Sequence, residues 1–379
     1  MKLRLSHGTV SIFALLFAST AMAQDRIFVT NERLAFGTDV FRSASVRVGD
    51  VDNDGDLDVV IANGRHWPEQ NFLFLNAGRA KFSIMHPIGT DRRTSYACEF
   101  ADLDGDGDLD IATGNDMALG RVMLNDGAGN FSQHSEVGEA SSLRSLTAAD
   151  IDADGDVDLI ATCRGRANRI YLNDGAANFQ SGPSFGSSDD STIDVAVADI
   201  NRDGHPDLLL ANRDRQANEI LFGDSKLQFK QRRTFGTGND QTRAIAVADM
   251  NGDGNPDWVI GNVGQRNQTC FGDRKGEILE MHAFGADDSV TYCIAVADMD
   301  NDGDTDVICG NVGQANSVFF NSGEGTAFVE VTFGNPNAAT YGLSVGDLDG
   351  DGFVDIAIAN SGSINSVFLN RPAGKQAAQ

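Results

Sequence analysis

The chain has 379 residues, 41% of them hydrophobic and 22% charged, with 42 Gly, 7 Pro and a formal net charge of −26. An acid excess of this size excludes the basic surface that nucleic acid needs, and 23 Phe with many short Val, Ile and Leu runs exclude a disordered acidic chain. Five Cys (Cys98, Cys163, Cys270, Cys293 and Cys309) set up no disulfide framework over this length. They read as buried free thiols, although Cys293 and Cys309 flank one loop symmetrically.

In chain order, residues 1–23 read as a signal peptide. Lys2 and Arg4 precede an apolar run from Val10 to Ala18, and Ala21 and Ala23 form an A-x-A cleavage pattern before Gln24. No other stretch is apolar for the roughly 18 residues of a membrane helix, so the expectation is an exported chain, periplasmic or secreted. Its folded body should span 24–371, with a flexible tail over 372–379. Ile27 to Phe36 reads as a strand with no partner beside it in sequence.

From Asp50 onward a nine-residue phrase, D-x-[DN]-x-D-G-x-x-D, recurs with first aspartates at Asp50, Asp102, Asp150, Asp199, Asp249, Asp298 and Asp347. Each phrase lies between two short β-branched runs, such as Ile245–Ala248 and Trp258–Ile260, which read as a hairpin. A third run, a Gly-rich turn and a fourth run ending in Phe-Gly complete each period of about 49 residues. Four-stranded antiparallel units of this period are blades of a β-propeller, here seven. The last period stops after its third strand, Val367–Leu369, so the orphan strand Ile27–Phe36 is expected to complete it and close the ring.

Comparison of the seven phrases shows which positions chemistry holds fixed. Position 6 is always Gly, suiting a turn with positive φ; positions 1, 5 and 9 are always Asp, position 3 is Asp or Asn, and position 2 is apolar. Position 7 includes Phe353, which cannot ligate through its side chain, so this position should offer its backbone carbonyl. Oxygen donors at positions 1, 3, 5, 7 and 9 describe a Ca²⁺ loop. The candidate ligands are Asp50, Asp52, Asp54, Asp56 and Asp58; Asp102, Asp104, Asp106, Asp108 and Asp110; Asp150, Asp152, Asp154, Asp156 and Asp158; Asp199, Asn201, Asp203, His205 and Asp207; Asp249, Asn251, Asp253, Asn255 and Asp257; Asp298, Asp300, Asp302, Asp304 and Asp306; and Asp347, Asp349, Asp351, Phe353 and Asp355. These loops contain 30 of the 55 acidic residues, and Arg202 is their only base. Removing Lys2 and Arg4 with the leader and setting the loops aside leaves 25 acids against 26 bases, so the anomalous acidity belongs to the loops. Up to seven structural Ca²⁺ ions are expected, weakest in the fourth and fifth loops, which hold three acids each.

These motifs resemble the FG-GAP/VCBS repeat family, which includes the propeller of integrin α subunits. The likeness covers about residues 27–370, with Phe-Gly at Phe36-Gly37, Phe185-Gly186, Phe235-Gly236, Phe284-Gly285 and Phe333-Gly334, replaced by Ile88-Gly89 and Val137-Gly138. The resemblance implies a seven-bladed propeller with Ca²⁺ between the first two strands of each blade. It implies no single activity, because similar propellers serve as adhesion modules, lectins and some polysaccharide lyases.

A ligand is expected on the face opposite the Ca²⁺ loops, where sequence varies freely. The bases of that face are Arg42, Arg65, Arg92, Arg93, Arg121, Arg144, Arg164, Arg166, Arg213, Arg215, Arg243 and Arg266. Arg forks suit carboxylate or sulfate, or else pair with neighbouring acids to hold blades together. The first repeat carries an insertion with Arg65, His66, Trp67 and Glu69, where Trp67 offers a stacking face for a sugar. Tyr96, Arg144, Arg243, Tyr292 and Tyr341 share a register six residues before the first aspartate of their phrases, near the channel rim. Arg47 and Glu99 also share a register in adjacent repeats and should form an ion pair. The reading is a monomeric binding module for a glycan or an extracytoplasmic protein, with Arg65, Trp67, Arg144, Arg164, Arg166, Arg243, Tyr292 and Tyr341 as ligand candidates. The alternatives are a structural envelope protein and a polysaccharide lyase acting on an acidic glycan. For a lyase, His66, Arg92, Arg93 and Tyr96 are the candidates for charge neutralisation and proton abstraction.

Overall fold

The computed structural model describes residues 26–374; the leader and residues 375–379 of the expected tail lie outside them. The described chain is all-β, with no α-helix and one 3-10 turn, Glu32–Leu34. Its strands form repeated four-stranded antiparallel sheets in chain order, such as Ser95–Ala101, Asp110–Asn115, Gly120–Asn125 and Phe131–Val137. This is the arrangement of β-propeller blades. The first unit (Phe41–Gly49, Asp58–Asn63, Glu69–Asn76, Phe82–Arg93) and the last (Thr340–Gly346, Asp355–Ser363, Ser366–Pro372) join into one eight-stranded sheet through Phe41↔Ser363 and Arg42↔Ser361. The last unit takes its fourth strand from the other end of the chain: Arg26–Val29 pairs with Ser366–Pro372, Arg26 opposite Pro372 and Val29 opposite Leu369.

The expected strand Ile27–Phe36 is not continuous. Asn31 caps the 3-10 turn, its side-chain oxygen accepting from Arg33 N at 2.9 Å, and pairing resumes only at Ala35, opposite Ser366. A local side-chain acceptor has here displaced the ladder.

The second strand of every unit is buried at all six of its first positions, as in Asp58–Asn63 and Asp207–Asn212, because neighbouring sheets cover both its faces. Fourth strands are largely exposed and tolerate Pro87 and Pro183, as edges do. Outer strands end at Phe185, Phe284 and Phe333, while Phe235 lies within its strand and Phe36 beyond its own; all five Phe are buried, and the following Gly has φ of 72–80°.

The hydrophobic residue at position 2 of each phrase (Val51, Leu103, Ile151, Ile200, Met250, Met299, Leu348) is buried and packs into the core of the following unit. Leu348, from the last unit, shares its core with Val59, Ile61 and Phe74 of the first. Buried asparagines repeat this linkage in polar form. Near the aspartate loops, Asn125 Nδ2 donates to Val51 O of the preceding unit at 2.7 Å, as Asn173 does to Leu103 O, Asn321 to Met250 O and Asn370 to Met299 O. Asn76 does the same to Leu348 O, 2.9 Å away across the chain ends. At the opposite end of the sheets, Asn71, Asn168, Asn218 and Asn267 donate to the Ser or Thr that opens the next unit, and Asn365 donates to Ser43 Oγ at 2.8 Å.

All five Cys are free thiols. Cys293 is opposite Gly310 while Cys309 is opposite Ile294, so the two cysteines are one register apart and point to opposite sheet faces. The expected ion pair is present: Arg47 Nη2 and Nε donate to Glu99 Oε1 and Oε2 at 2.5 and 2.8 Å.

Candidate functional site

All seven phrases fold into one loop design. The first Asp accepts from the N–H of the Gly at position 6, with distances of 2.7–3.1 Å from Gly55 to Gly352. The Asp at position 5 accepts from the N–H of position 7, which leaves the position-7 carbonyl free of that bond. Position 4 is left-handed in every loop: Asn53, Ala153, Arg202 and Asn301 have φ of 59–62°, and Gly105, Gly252 and Gly350 fill the rest. Sequence reasoning missed this position because four residue types fill it, although three Gly and two Asn were a signal. Side chains here also reach the next loop, Asn53 to Asp108, Arg202 to Gly254 O and Asn301 to Gly352 O.

The ninth Asp has a second duty. Asp58 Oδ2 accepts from Val51 N at 3.0 Å and Oδ1 from Asn76 N at 2.7 Å, and the same two bonds recur at Asp110, Asp158, Asp207, Asp257, Asp306 and Asp355. Each is buried. Burial pushes their carboxyls up, to about 6 for Asp110, Asp158, Asp207 and Asp257, about 7 for Asp58 and Asp355, and about 8 for Asp306.

Five loops gather three carboxylates each with oxygens within 4.8 Å of one another: Asp50/Asp52/Asp58, Asp102/Asp104/Asp110, Asp150/Asp152/Asp158, Asp298/Asp300/Asp302 and Asp347/Asp349/Asp351. Burial and then the neighbouring aspartates raise the carboxyls of Asp52, Asp104, Asp152 and Asp300. Asp50 Oδ1, Asp52 Oδ1, Asp249 Oδ1, Asp300 Oδ1, Asp302 Oδ2 and Asp349 Oδ1 are buried with no hydrogen-bond partner. Converging acceptors without donors fit a hard cation, so these clusters could hold metal ions. The fourth and fifth loops carry Asn201 and Asn251 at position 3 and form no such trio. In the last loop Arg371 already donates to Asp349 and, at 2.6 Å, to Asp351 Oδ2.

At the other end of the inner strands, the structure brings part of the sequence-predicted ligand set together. Tyr96, Arg144, Arg243, Tyr292 and Tyr341 line one cavity, with Arg47 and Asp194 deeper in it. Arg65 stacks over Tyr341, Arg144 over Tyr96 and Arg243 over Tyr292, with guanidinium carbons 3.7, 4.7 and 3.9 Å from the ring centroids. Tyr96 Oη and His66 Nδ1 are 2.9 Å apart. Burial, then Arg65 and Arg144, lower the imidazole's affinity for a proton, so a neutral ring can accept the Tyr96 hydroxyl. His66 has φ 72°, in the inserted loop that also carries exposed Trp67. Asp116, which bonds Arg144 at 3.3 Å, and the strand-embedded Asp194 were not foreseen.

The other candidates lie apart from this group. Arg93 is bound by Asp91, Leu119 O and Glu136 Oε1, the last at 2.6 Å, and so ties the first unit to the second. Arg92 is exposed beside it. Arg164 pairs with Asp214 at 2.8 Å, and Arg166 is exposed in a separate cavity with Glu139 and Arg169.

The repeat pattern has known counterparts. The FG-GAP-like repeat matches residues 50–113, 102–161, 150–210, 199–260 and 298–358, which is most of the chain. The chain belongs to the FG-GAP-like repeat family. No curated protein matches it. Among solved structures it is similar to BBS1N in its crystal complex with ARL6DN. The lead-soaked form gives a TM-score of 0.59 and the mercury-soaked form 0.63, each at 11% identity over 91% of this chain and 96% of that one. At that identity the likeness concerns the fold alone. Among the described residues of this FG-GAP-repeat chain, no helix is long and apolar enough to cross a membrane.

Proposed function

We propose that this chain is an exported, calcium-stabilised propeller of seven blades that binds a glycan or a protein through the face opposite its metal loops. The observation that carries the reading is the division of labour along the inner strands, with carboxylate loops at their C-terminal ends and the Arg–Tyr cavity at their N-terminal ends. Closure of the ring is supported by the Arg26–Val29 pairing, the Leu348 core and the Asn76 and Asn365 hydrogen bonds, which treat the last and first units like any other neighbours.

In the loops, side chains at positions 1, 3, 5 and 9 and the position-7 carbonyl are the donors for Ca²⁺, whose charge would offset the crowded carboxylates. With each site at tenfold its dissociation constant, linkage contributes about 1.4 kcal/mol per ion. The partner of the BBS1N neighbours is another protein, ARL6DN, which is consistent with an interaction role for a fold of this kind. Affinity electrophoresis through gels containing neutral, uronate or sulfated polysaccharides in excess Ca²⁺, beside a protein pull-down, tests the reading. Retardation lost on Trp67→Ala or Arg243→Gln supports it, whereas uniform migration together with an empty pull-down refutes it.

The Tyr96–His66 contact favours one second reading, a lyase in which Arg144 neutralises a uronate while the Tyr96 oxygen, its own proton passed to His66, takes the C5 proton. As the C4–O bond breaks and the C4=C5 double bond forms, the departing oxygen would take a proton back from the Tyr96–His66 pair, which returns to its starting state; the unsaturated uronate left behind is followed by ultraviolet absorbance. No absorbance from any uronate polymer would exclude it.

A further inference from the structure

The channel-mouth cavity, about 130 Å³, is lined by Arg144 and Arg243, with Arg65 at its rim stacked on the lining ring of Tyr341, and this positive charge exceeds what the chain itself answers. Among the described residues, no carboxylate lies within ion-pair distance of Arg65 or Arg243, and Arg144 has only Asp116. The two acids deeper in the channel are already committed. Glu99 is held on both oxygens by Arg47, and Asp194 accepts from Val195 N at 3.0 Å and Ile245 N at 3.2 Å. The Nε of Arg243 is buried without any partner. Burial, with Arg213 and Arg65 adding repulsion, pushes the Arg243 guanidinium down to about 10.

A half-buried guanidinium whose Nε is sealed off and which has no acid beside it is costly in an isolated fold, and an incoming anion reduces that cost. The stacked tyrosines fix the planes of the three guanidiniums, and the Tyr292 and Tyr341 rings brace each other edge to face at 4.8 Å. Apart from Arg144 Nη1, which donates to Leu143 O at 2.6 Å and to Asp116, their N–H groups suit a planar, two-oxygen acceptor. The volume suits one carboxylate and its attached carbon, not a whole chain. Trp67, 61% exposed on the same inserted loop as Arg65, offers the apolar face on which a sugar ring stacks.

We propose that this cavity binds the carboxylate of a uronic acid residue, with Arg65, Arg144 and Arg243 as its donors. The assignment rests on the reading of this face as the ligand face and names the chemistry it selects. The test is calorimetric or NMR titration of the Ca²⁺-loaded protein with glucuronate, glucose and inorganic sulfate. The expected result is saturable binding of glucuronate, none of glucose, weaker binding of sulfate, and at least a tenfold loss of glucuronate affinity in Arg243→Gln and in Arg65→Gln. Because Arg243 is half-buried with its Nε sealed off, Arg65→Gln serves as the second variant, and melting curves verify that both fold. Absence of glucuronate binding, equal binding of glucose, tighter binding of sulfate, or affinity unchanged in folded variants would each overturn the assignment. Retardation of wild type and both Arg variants alike by a neutral polysaccharide would overturn the carboxylate site while leaving the ligand face standing. Loss of all glycan and protein binding would remove both.

Discussion

Asn76→Leu tests whether the chain ends are joined as tightly as any two neighbouring blades. In the wild type, Asn76 Nδ2 donates to Leu348 O at 2.9 Å and to Leu57 O at 3.1 Å, and its Oδ1 accepts from Lys81 N at 3.0 Å. Asn125 makes the equivalent bonds between the second and first units, to Val51 O at 2.7 Å and Leu109 O at 3.1 Å, with Gly129 N donating to its Oδ1 at 3.1 Å. Both residues are buried. Leucine matches the volume but leaves two carbonyls without that donor and one backbone N–H without its acceptor, at about 1–3 kcal/mol per buried group left unpaired; a partial offset from apolar burial and from water reaching the half-open groups brings the net cost to about 3 kcal/mol. Unfolding entropy of about 2.1 cal/mol/K per residue over roughly 350 residues gives about 0.7 kcal/mol/K, so each variant should melt about 4 °C below wild type. Scanning calorimetry in excess Ca²⁺ measures both. Equal losses for Asn76→Leu and Asn125→Leu are expected of a closed ring. A full loss for Asn125→Leu with a change under about 1 °C for Asn76→Leu would show that the ends part in solution and would refute closure.

Three further outcomes follow from the loops and the channel. Calcium titration should resolve five tighter sites and two weaker ones, because Asn201 and Asn251 replace an acid in the fourth and fifth loops; seven equivalent sites would contradict this. In chelator, stability should fall as pH rises from about 4 toward 8. Asp58, Asp110, Asp158, Asp207, Asp257, Asp306 and Asp355 have folded pKa values of about 6–8, above the unfolded value near 3.9, so the fold binds the more protons in that window. A metal-free melting temperature that rises with pH would count against it. Finally, Arg47→Glu and Glu99→Arg should each destabilise by about 2 kcal/mol, since the forked pair is only partly open to water, and the double swap should recover most of the loss in urea melts. Additive losses in the swap would show that the two charges do not depend on each other.

The legible part of this molecule is what seven copies force to be identical. Asp at positions 1, 5 and 9 and Gly at position 6 recur because each copy repeats the same bonds, so the loops and the period could be read directly. Identity alone does not reveal duty. The ninth Asp looks like a ligand in sequence, yet it also holds two backbone N–H groups, and only coordinates separate the roles. The asparagines before the third turns recur as well, but Asn173-Asp174-Gly175 reads as turn chemistry, and its bond to Leu103 O in another unit spans 70 residues. The Arg–Tyr cavity is hardest to read because its residues come from different units. Arg65, Arg144 and Arg243 meet three tyrosines through contacts that cross units, whereas Arg93, three residues from Tyr96, ends the outer strand of the first unit and is turned toward Glu136. Sequence proximity misplaced that arginine, and shared register grouped all the others except Arg65 of the inserted loop, because equivalent positions on the first strands of different units line one cavity while chain neighbours on different strands need not.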